Sequence, residues 1–286
     1  MSINLIVQSP AIDLSLIDQA GALVQANGAQ WISKSAARLS DVTRDADTEE
    51  LITGWAAEKK VDIAFVDPDA QLSELKLLVM DMDSTLINIE CIDEIASYAG
   101  LKAEVSAITE RAMRGEITSF ADSLRQRVGY LEGLDQAILQ KVYDERLSLN
   151  PGAQNLIQTA QQAGIKTMLV SGGFTFFTSR LKQRLQLDAA HANVLDIDAD
   201  GKLTGRVVGP IIDAQSKADL LADFARELDA KPEHIMAIGD GANDLKMMAH
   251  AHYSVAYRAK PVVQQQANFA LNYSGLDGVL NWFARA

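Results

Sequence analysis

One cysteine, Cys91, stands among 286 residues. No disulfide can form within the chain, and a lone thiol fits a reducing compartment, so the cytoplasm is the expected location. Positive charge is also in short supply. Lys and Arg number 26 against 38 Asp and Glu, a formal net charge of −12. That balance argues against a general nucleic-acid binder or a protein that seeks anionic membranes. No stretch reaches the roughly 18 apolar residues of a membrane span. The opening Met1-Ser2-Ile3-Asn4-Leu5 has no basic segment followed by a long apolar one, so no secretory leader is read there. Histidine is scarce: His250 and His252 lie two apart without further partners, and His191 and His234 are isolated. A histidine-based metal centre is therefore not indicated. Repeats and low-complexity tracts are absent.

What is present is an ordinary globular composition, 48% apolar and 22% charged, long enough for one large or two modest domains. Residues 1–72 read as a small α/β unit of order βαββαβ, a ferredoxin-like pattern, and Asp67-Pro68-Asp69 marks a linker over 67–74. A second unit, 75–286, opens with the apolar run Leu77-Leu78-Val79-Met80. Between about 88 and 150 the pattern turns helical, and Asn150-Pro151-Gly152 closes that block. Alternation of helix and buried strand then resumes. Strands are expected at Thr167–Val170 and Ile235–Ile238, a hairpin across Asp200-Gly201, and a helix from Lys217. The expected fold is a doubly wound parallel sheet with a helical cap inserted after its first strand, plus the N-terminal module.

Three apolar runs end in polar groups. Val79-Met80 leads into Asp81-Met82-Asp83-Ser84-Thr85, Leu169-Val170 into Ser171-Gly172-Gly173, and Ala237-Ile238 into Gly239-Asp240-Gly241-Ala242-Asn243-Asp244. In an open α/β sheet the C-terminal strand ends share one crevice, where ligands bind. Clustered carboxylates repel one another and persist where a cation sits among them. An all-oxygen donor set without His or Cys suits a hard ion, Mg²⁺ above all, which takes one or two carboxylates. Asp81 and Asp240 fit that count, a backbone carbonyl near Asp83 adds a donor, and Asp244 lies one helical turn beyond Asp240. Ser171-Gly172-Gly173 offers a hydroxyl and close-approaching backbone N–H groups to an anion. Taken alone, Lys217 reads as a solvated helix residue, and Glu90 and Arg127 as exposed helix charges. Asp196-Ile197-Asp198-Ala199-Asp200-Gly201 matches the opening of an EF-hand loop. Its twelfth position is Val207 and its flanks read as a hairpin, so calcium binding is rejected.

The Asp81-Met82-Asp83-Ser84-Thr85 stretch resembles the first motif of the haloacid dehalogenase superfamily of phosphatases. Ser171-Gly172-Gly173, Lys217 and Gly239–Asp244 follow in order as the second, third and fourth. With 86–96, 123–128 and Asp200-Gly201-Lys202-Leu203-Thr204-Gly205, the resemblance over 75–285 is to the phosphoserine phosphatase branch. It implies Asp81 as nucleophile and Asp83 as proton donor and acceptor. It also implies Mg²⁺ held by Asp81, the Asp83 carbonyl and Asp240, with Ser171 and Lys217 on the phosphoryl group. Glu90 would pair with the substrate ammonium and Arg127 with its carboxylate. Gly172 and Asn243 complete the contacts, and Met113 and Phe120 wall the pocket. The implied substrate is O-phosphoserine, in the last step of serine biosynthesis. The competing readings are a phosphatase or phosphotransferase of the same superfamily acting on another small ester, a phosphoacceptor signalling protein, and an amino-acid sensor. The N-terminal module resembles ACT-like regulatory domains. Its first strand runs into Gln8-Ser9-Pro10-Ala11 where such domains often carry a glycine-containing loop, so packing or homodimerisation is weighed beside ligand binding.

Overall fold

The computed structural model describes residues 3–113, 117 and 119–284, and of 112 and 113 the backbone alone. Strands β1 (Asn4–Gln8), β2 (Gly28–Ser33), β3 (Ala36–Ser40) and β4 (Asp62–Val66), with helices α1 (Leu14–Leu23) and α2 (Ala46–Lys59), form the N-terminal module. Its antiparallel sheet runs β2-β3-β1-β4. Asp13 and Asp45 cap the two helices, each accepting a hydrogen bond from a backbone N–H of the first turn. Period-2 alternation sends Leu5 and Val7 toward these helices, while Ile6, Ala64 and Val66 join the large core of the rest of the chain. Both faces of the sheet are thus covered at β1 and β4, while the edge strand β2 is almost wholly exposed.

The larger unit is a seven-stranded sheet of order β11-β10-β9-β5-β6-β7-β8. Its central strand β5 (Leu77–Met80) pairs in parallel with β6 (Lys166–Phe174) and β9 (Ile235–Gly239). β10 (Tyr253–Tyr257) and β11 (Phe269–Leu271) extend the β9 side, and β7 (Ala189–Ile197) and β8 (Leu203–Val208) the β6 side. Only the β7–β8 pair is antiparallel. All four β5 side chains are buried, Leu77 and Val79 in one core and Leu78 and Met80 in the other. That is why the run is continuously apolar and why the first acid, Asp81, stands just past it.

Among the described residues, four helices, α3 (Cys91–Tyr98), α4 (Lys102–Met113), α5 (Phe120–Gly129) and α6 (Ala137–Glu145), lie in the insertion between β5 and α7 (Ala153–Gln162). Helices α8 (Thr175–Leu185), α9 (Ala214–Glu227), α10 (Leu245–Met248) and α11 (Pro261–Gln266) complete the layers. Two expectations need correction. β6 does not stop at Val170 but continues through Phe174, with its pairing to β7 lapsing after Val170 and resuming at Phe174–Asn193. Helix α9 begins not at Lys217 but at Ala214, behind an Asp213 cap, so Lys217 sits in its first turn, where it is fully buried.

Candidate active site

The site is built at the C-terminal ends of β5, β6 and β9. After Asp81 the chain makes a tight turn in which Leu86 and Ile87 donate back to the carbonyls of Asp81 and Met82 at 3.3 and 3.0 Å. Ser84 pays for this tightness with a left-handed φ of 58°. The turn aims the Asp83 carboxylate inward, where Oδ1 accepts the Cys91 N–H at 2.9 Å. Ser171 Oγ lies 3.5 Å from Asp83 Oδ2 and accepts the Gly173 N–H at 2.8 Å. Space is so tight that a Cβ on Gly173 would fall 2.6 Å from Asp83 Oδ2.

Lys217 reaches from α9 to bridge two acids. Its Nζ donates to Asp81 Oδ1 and, at 2.7 Å, to Asp244 Oδ1. Asp244 Oδ2 accepts the Gly241 N–H at 3.0 Å, so both its oxygens are engaged. Thr85 Oγ1 donates to Asp240 Oδ1 at 3.1 Å. One carboxylate oxygen from each of Asp81, Asp240 and Asp244 lies within 4.8 Å of the other two. Burial opposes the charge on Lys217, but the Asp244 and Asp81 carboxylates outweigh it and hold its pKa above the ordinary value. Burial pushes the Asp81 carboxyl up against the pull of Lys217, with Asp244, Asp240 and Asp83 adding to the rise. Burial, then the Asp244 charge, lifts Asp240 to about 7. Asp83 is likewise raised by burial, the Cys91 hydrogen bond opposing. Several oxygen donors facing a single ammonium leave the cluster short of positive charge, which fits a hard divalent cation.

Above these tips lies a cavity of about 310 Å³. Asp81, Asp83, Asp240 and Asn243 line its base, and Glu90, Thr109, Phe120 and Arg127 line the side facing the cap, with Gly172 between them. Glu90 and Arg127 are therefore not exposed helix charges. Burial and the Asp83 charge raise the Glu90 carboxyl to about 8, and Ser84 Oγ donates to its Oε1 at 2.6 Å. Burial lowers the Arg127 pKa while Glu90 and Asp93 oppose the drop. Arg127 Nε donates to Ser123 O at 3.3 Å and Nη1 to Thr109 Oγ1 at 3.2 Å, leaving its fork held from behind. Ser171 and Lys217 lie behind the cavity wall, both fully buried. Phe120 sits over Gly172, whose added Cβ would meet its ring at 2.8 Å. The Met113 side chain lies outside the described residues.

A haloacid dehalogenase-like hydrolase model matches residues 75–252. The chain belongs to the haloacid dehalogenase-like hydrolases. It is 54% identical over 217 residues to the phosphoserine phosphatase of Polaromonas sp., covering 74% of this chain and 92% of that one. A solved HAD family hydrolase from Salmonella enterica serovar Typhi superposes with a TM-score of 0.86 at 31% identity, covering 97% of each chain. The probable phosphoserine phosphatase from Vibrio cholerae does so at 0.81 and 36%, covering 98% of this chain and 85% of that one. Within the hydrolases, this enzyme falls in the phosphoserine phosphatase family.

Several residues that shape the site carried no signal in the sequence. Asn150 Nδ2 donates to the carbonyls of Ser84, Thr85 and Ile87 at 3.3, 2.8 and 3.0 Å, clamping the turn that bears Asp83. Thr109 holds Arg127 from 18 positions away, and Asn193 donates to the Gly172 carbonyl at 2.8 Å. Such partners come from distant segments, and single side chains in loops and helices look alike until the chain is folded. Among the described residues, Asp81, Asp240 and Asp244 are the grouping with metal-ligand spacing, and no helix is long and apolar enough to cross a membrane.

Proposed function

We propose that this enzyme hydrolyses O-phospho-L-serine to L-serine and phosphate with Mg²⁺, through an aspartyl-phosphate on Asp81, as the last step of L-serine biosynthesis. The observation that carries the reading is one cavity with Asp81 at its base and half-buried Glu90 and buried Arg127 on its cap side. A substrate with a phosphate at one end and an ammonium and carboxylate at the other matches that distribution of charge.

An Asp81 oxygen attacks phosphorus, and the bond from phosphorus to the serine oxygen breaks. The Asp83 carboxyl, raised by burial and so able to carry a proton, gives it to the departing oxygen. A water then attacks phosphorus, its proton passes to the Asp83 carboxylate, and phosphate leaves with Asp81 regenerated. Lys217 holds the Asp81 carboxylate in place, and Asp244, with both oxygens engaged, holds Lys217. Asp81, the Asp83 carbonyl and Asp240 would hold Mg²⁺, which when bound offsets charge on the phosphoryl oxygens. Glu90 faces the ammonium, Arg127 clamps the carboxylate, and Gly172 and Asn243 line the path between.

The test is a panel of small phosphate esters with Mg²⁺ and an Asp81→Asn control, which keeps shape but removes the nucleophile. Phosphoserine is expected to be the preferred substrate. Alanine at Glu90 or Arg127 is expected to cost more on phosphoserine than on an aryl phosphate. A Mg²⁺-loaded protein that leaves phosphoserine intact while cleaving another ester overturns the reading.

A further inference from the structure

The β7–β8 hairpin takes no part in the chemistry above, yet it touches both ends of the site. At its root Asn193, only 2% exposed, donates from Nδ2 to the Gly172 carbonyl at 2.8 Å. Its Oδ1 accepts the Ile212 N–H at 2.8 Å, which ties the β6 tip to the hairpin. At the far end the segment after α5 is stitched to the hairpin backbone. Gly133 N donates to Leu203 O and Leu203 N to Leu134 O, both at 2.8 Å, and Gln136 N donates to Gly201 O at 2.9 Å. Beside these bonds the hairpin meets the end of α5 at Gly205. A Cβ there would lie 3.0 Å from Glu132 Cβ, 3.4 Å from Gly129 O and 3.5 Å from Gly129 Cα. Gly129 ends α5, two residues beyond Arg127. Backbone and Cβ atoms make this contact, so no flexible side-chain end can absorb an intrusion.

We infer that Gly205 is a positioning residue for substrate selection: its missing side chain makes the hairpin a fixed stop for α5 and so sets how far Arg127 stands from the strand tips carrying Gly172 and Asp81. The inference rests on the reading of Arg127 as the carboxylate clamp. A substrate that spans the cavity from phosphate to carboxylate is measured by this distance. An aryl phosphate without a carboxylate is not. Adding a Cβ at Gly205 pushes Glu132, and with it the turn that closes α5, by a few tenths of an ångström, while the Gly129 atoms at 3.4 and 3.5 Å stay in ordinary contact. Asp81, Asp83 and the metal ligands lie away from this contact.

A control exists in the same stretch. Gly209 has φ of +77° against +74° for Gly205, but nothing lies within 4 Å of its added Cβ. Gly209→Ala therefore carries the same backbone strain without the contact. Gly205→Ala is expected to raise KM for phosphoserine roughly five- to tenfold while kcat, and both constants on an aryl phosphate, stay within about twofold. Gly209→Ala is expected to leave all four within about twofold. In an Arg127→Ala background, Gly205→Ala should add nothing further, since it acts through Arg127. Thermal unfolding establishes that each variant is folded at the assay temperature. Gly205→Asn, which tolerates the left-handed backbone yet keeps the Cβ, replaces the alanine variant if that one is not folded. The proposal is overturned if Gly205→Ala lowers kcat equally on both substrates, if Gly209→Ala matches it, or if its KM effect persists in the Arg127→Ala background. Equal losses on the two substrates from Arg127→Ala alone would instead sink the clamp reading, whatever Gly205 does.

Discussion

Glu90 is the residue whose ionisation bears most directly on substrate choice. Burial and the nearby Asp83 charge hold its carboxyl at about 8, so near neutrality the free protein carries it largely protonated. An ammonium needs the carboxylate. The ionised fraction grows as pH rises toward 8, so kcat/KM for phosphoserine should climb over that range. A divalent cation near Asp83 weakens the charge that retains the proton, and the limb should move to lower pH as Mg²⁺ is raised. Profiles on phosphoserine and an aryl phosphate check this: Glu90→Gln should abolish the part of the limb that phosphoserine shows and the aryl phosphate does not, the part shared by both belonging to groups such as Asp240. Lys217 is the second residue with a clear electrostatic consequence. Lys217→Met leaves buried Asp81 and Asp244 facing each other without their shared ammonium, at a cost of about 3–5 kcal/mol. Protonation of Asp81 relieves the repulsion. Burial raises the Asp81 pKa and Lys217 pulls it down, so without Lys217 the native state holds that proton to still higher pH than the unfolded chain does, and the deficit should shrink on acidification. Urea unfolding at pH 5 and pH 8 without metal should show a smaller loss at the lower pH, and an equal loss at both would refute this account. Taken alone, Lys217 reads as a solvated helix charge, because nothing local distinguishes an ammonium that folds inward from one that does not.

At the scale of the element, the turn after β5 is the piece on which the site depends. It presents Asp83, sends Thr85 to Asp240 and Ser84 to Glu90, and holds Ser84 at a left-handed φ of 58°. Asn150 keeps it in that shape through one amide shared among three carbonyls. Asn150→Ala strands buried acceptors at a cost of about 1–3 kcal/mol, and loosens Asp83 as it does so. Denaturation midpoints should fall and kcat should drop on phosphoserine and on an aryl phosphate alike, since the turn serves the chemistry and not substrate selection. A loss confined to phosphoserine would contradict that division. The strand tips themselves were legible as apolar runs ending in acids or glycines, since a strand buried on both faces admits no charge before its end. The clamp was not, because Asn-Pro-Gly reads equally well as a plain loop.

For the molecule as a whole, the joint between the two sheets turns on Asp62, 3% exposed at the start of β4. Its carboxylate accepts the N–H groups of Asn272 at 2.6 Å, Tyr273 at 3.1 Å and Ser274 at 2.7 Å, across more than 200 positions of sequence. Asp62→Ala strands these donors and should lower stability by about 2–4 kcal/mol, leaving kcat on phosphoserine within about twofold at temperatures where the variant is folded. Urea midpoints and steady-state rates check it, and an unchanged midpoint would show that the joint does not depend on this carboxylate. The βαββαβ order and the parallel sheet were legible in periodicity alone, because burial on one face or two writes itself into the spacing of apolar residues. Apolar runs ending in polar groups marked which strand tips would share a crevice if their strands were neighbours, the resemblance to the family implied the phosphate chemistry, and the sheet order β9-β5-β6 put the tips side by side. On their local sequence alone Lys217, Glu90 and Arg127 look like solvated charges, and it was the resemblance to the family that implied a place for them in the site. Only the tertiary structure decided that Asn150 clamps the turn after β5, that Thr109 holds Arg127 and that Asn193 holds Gly172. A lone polar side chain has no periodicity, and its environment comes into being when segments far apart in sequence close around it.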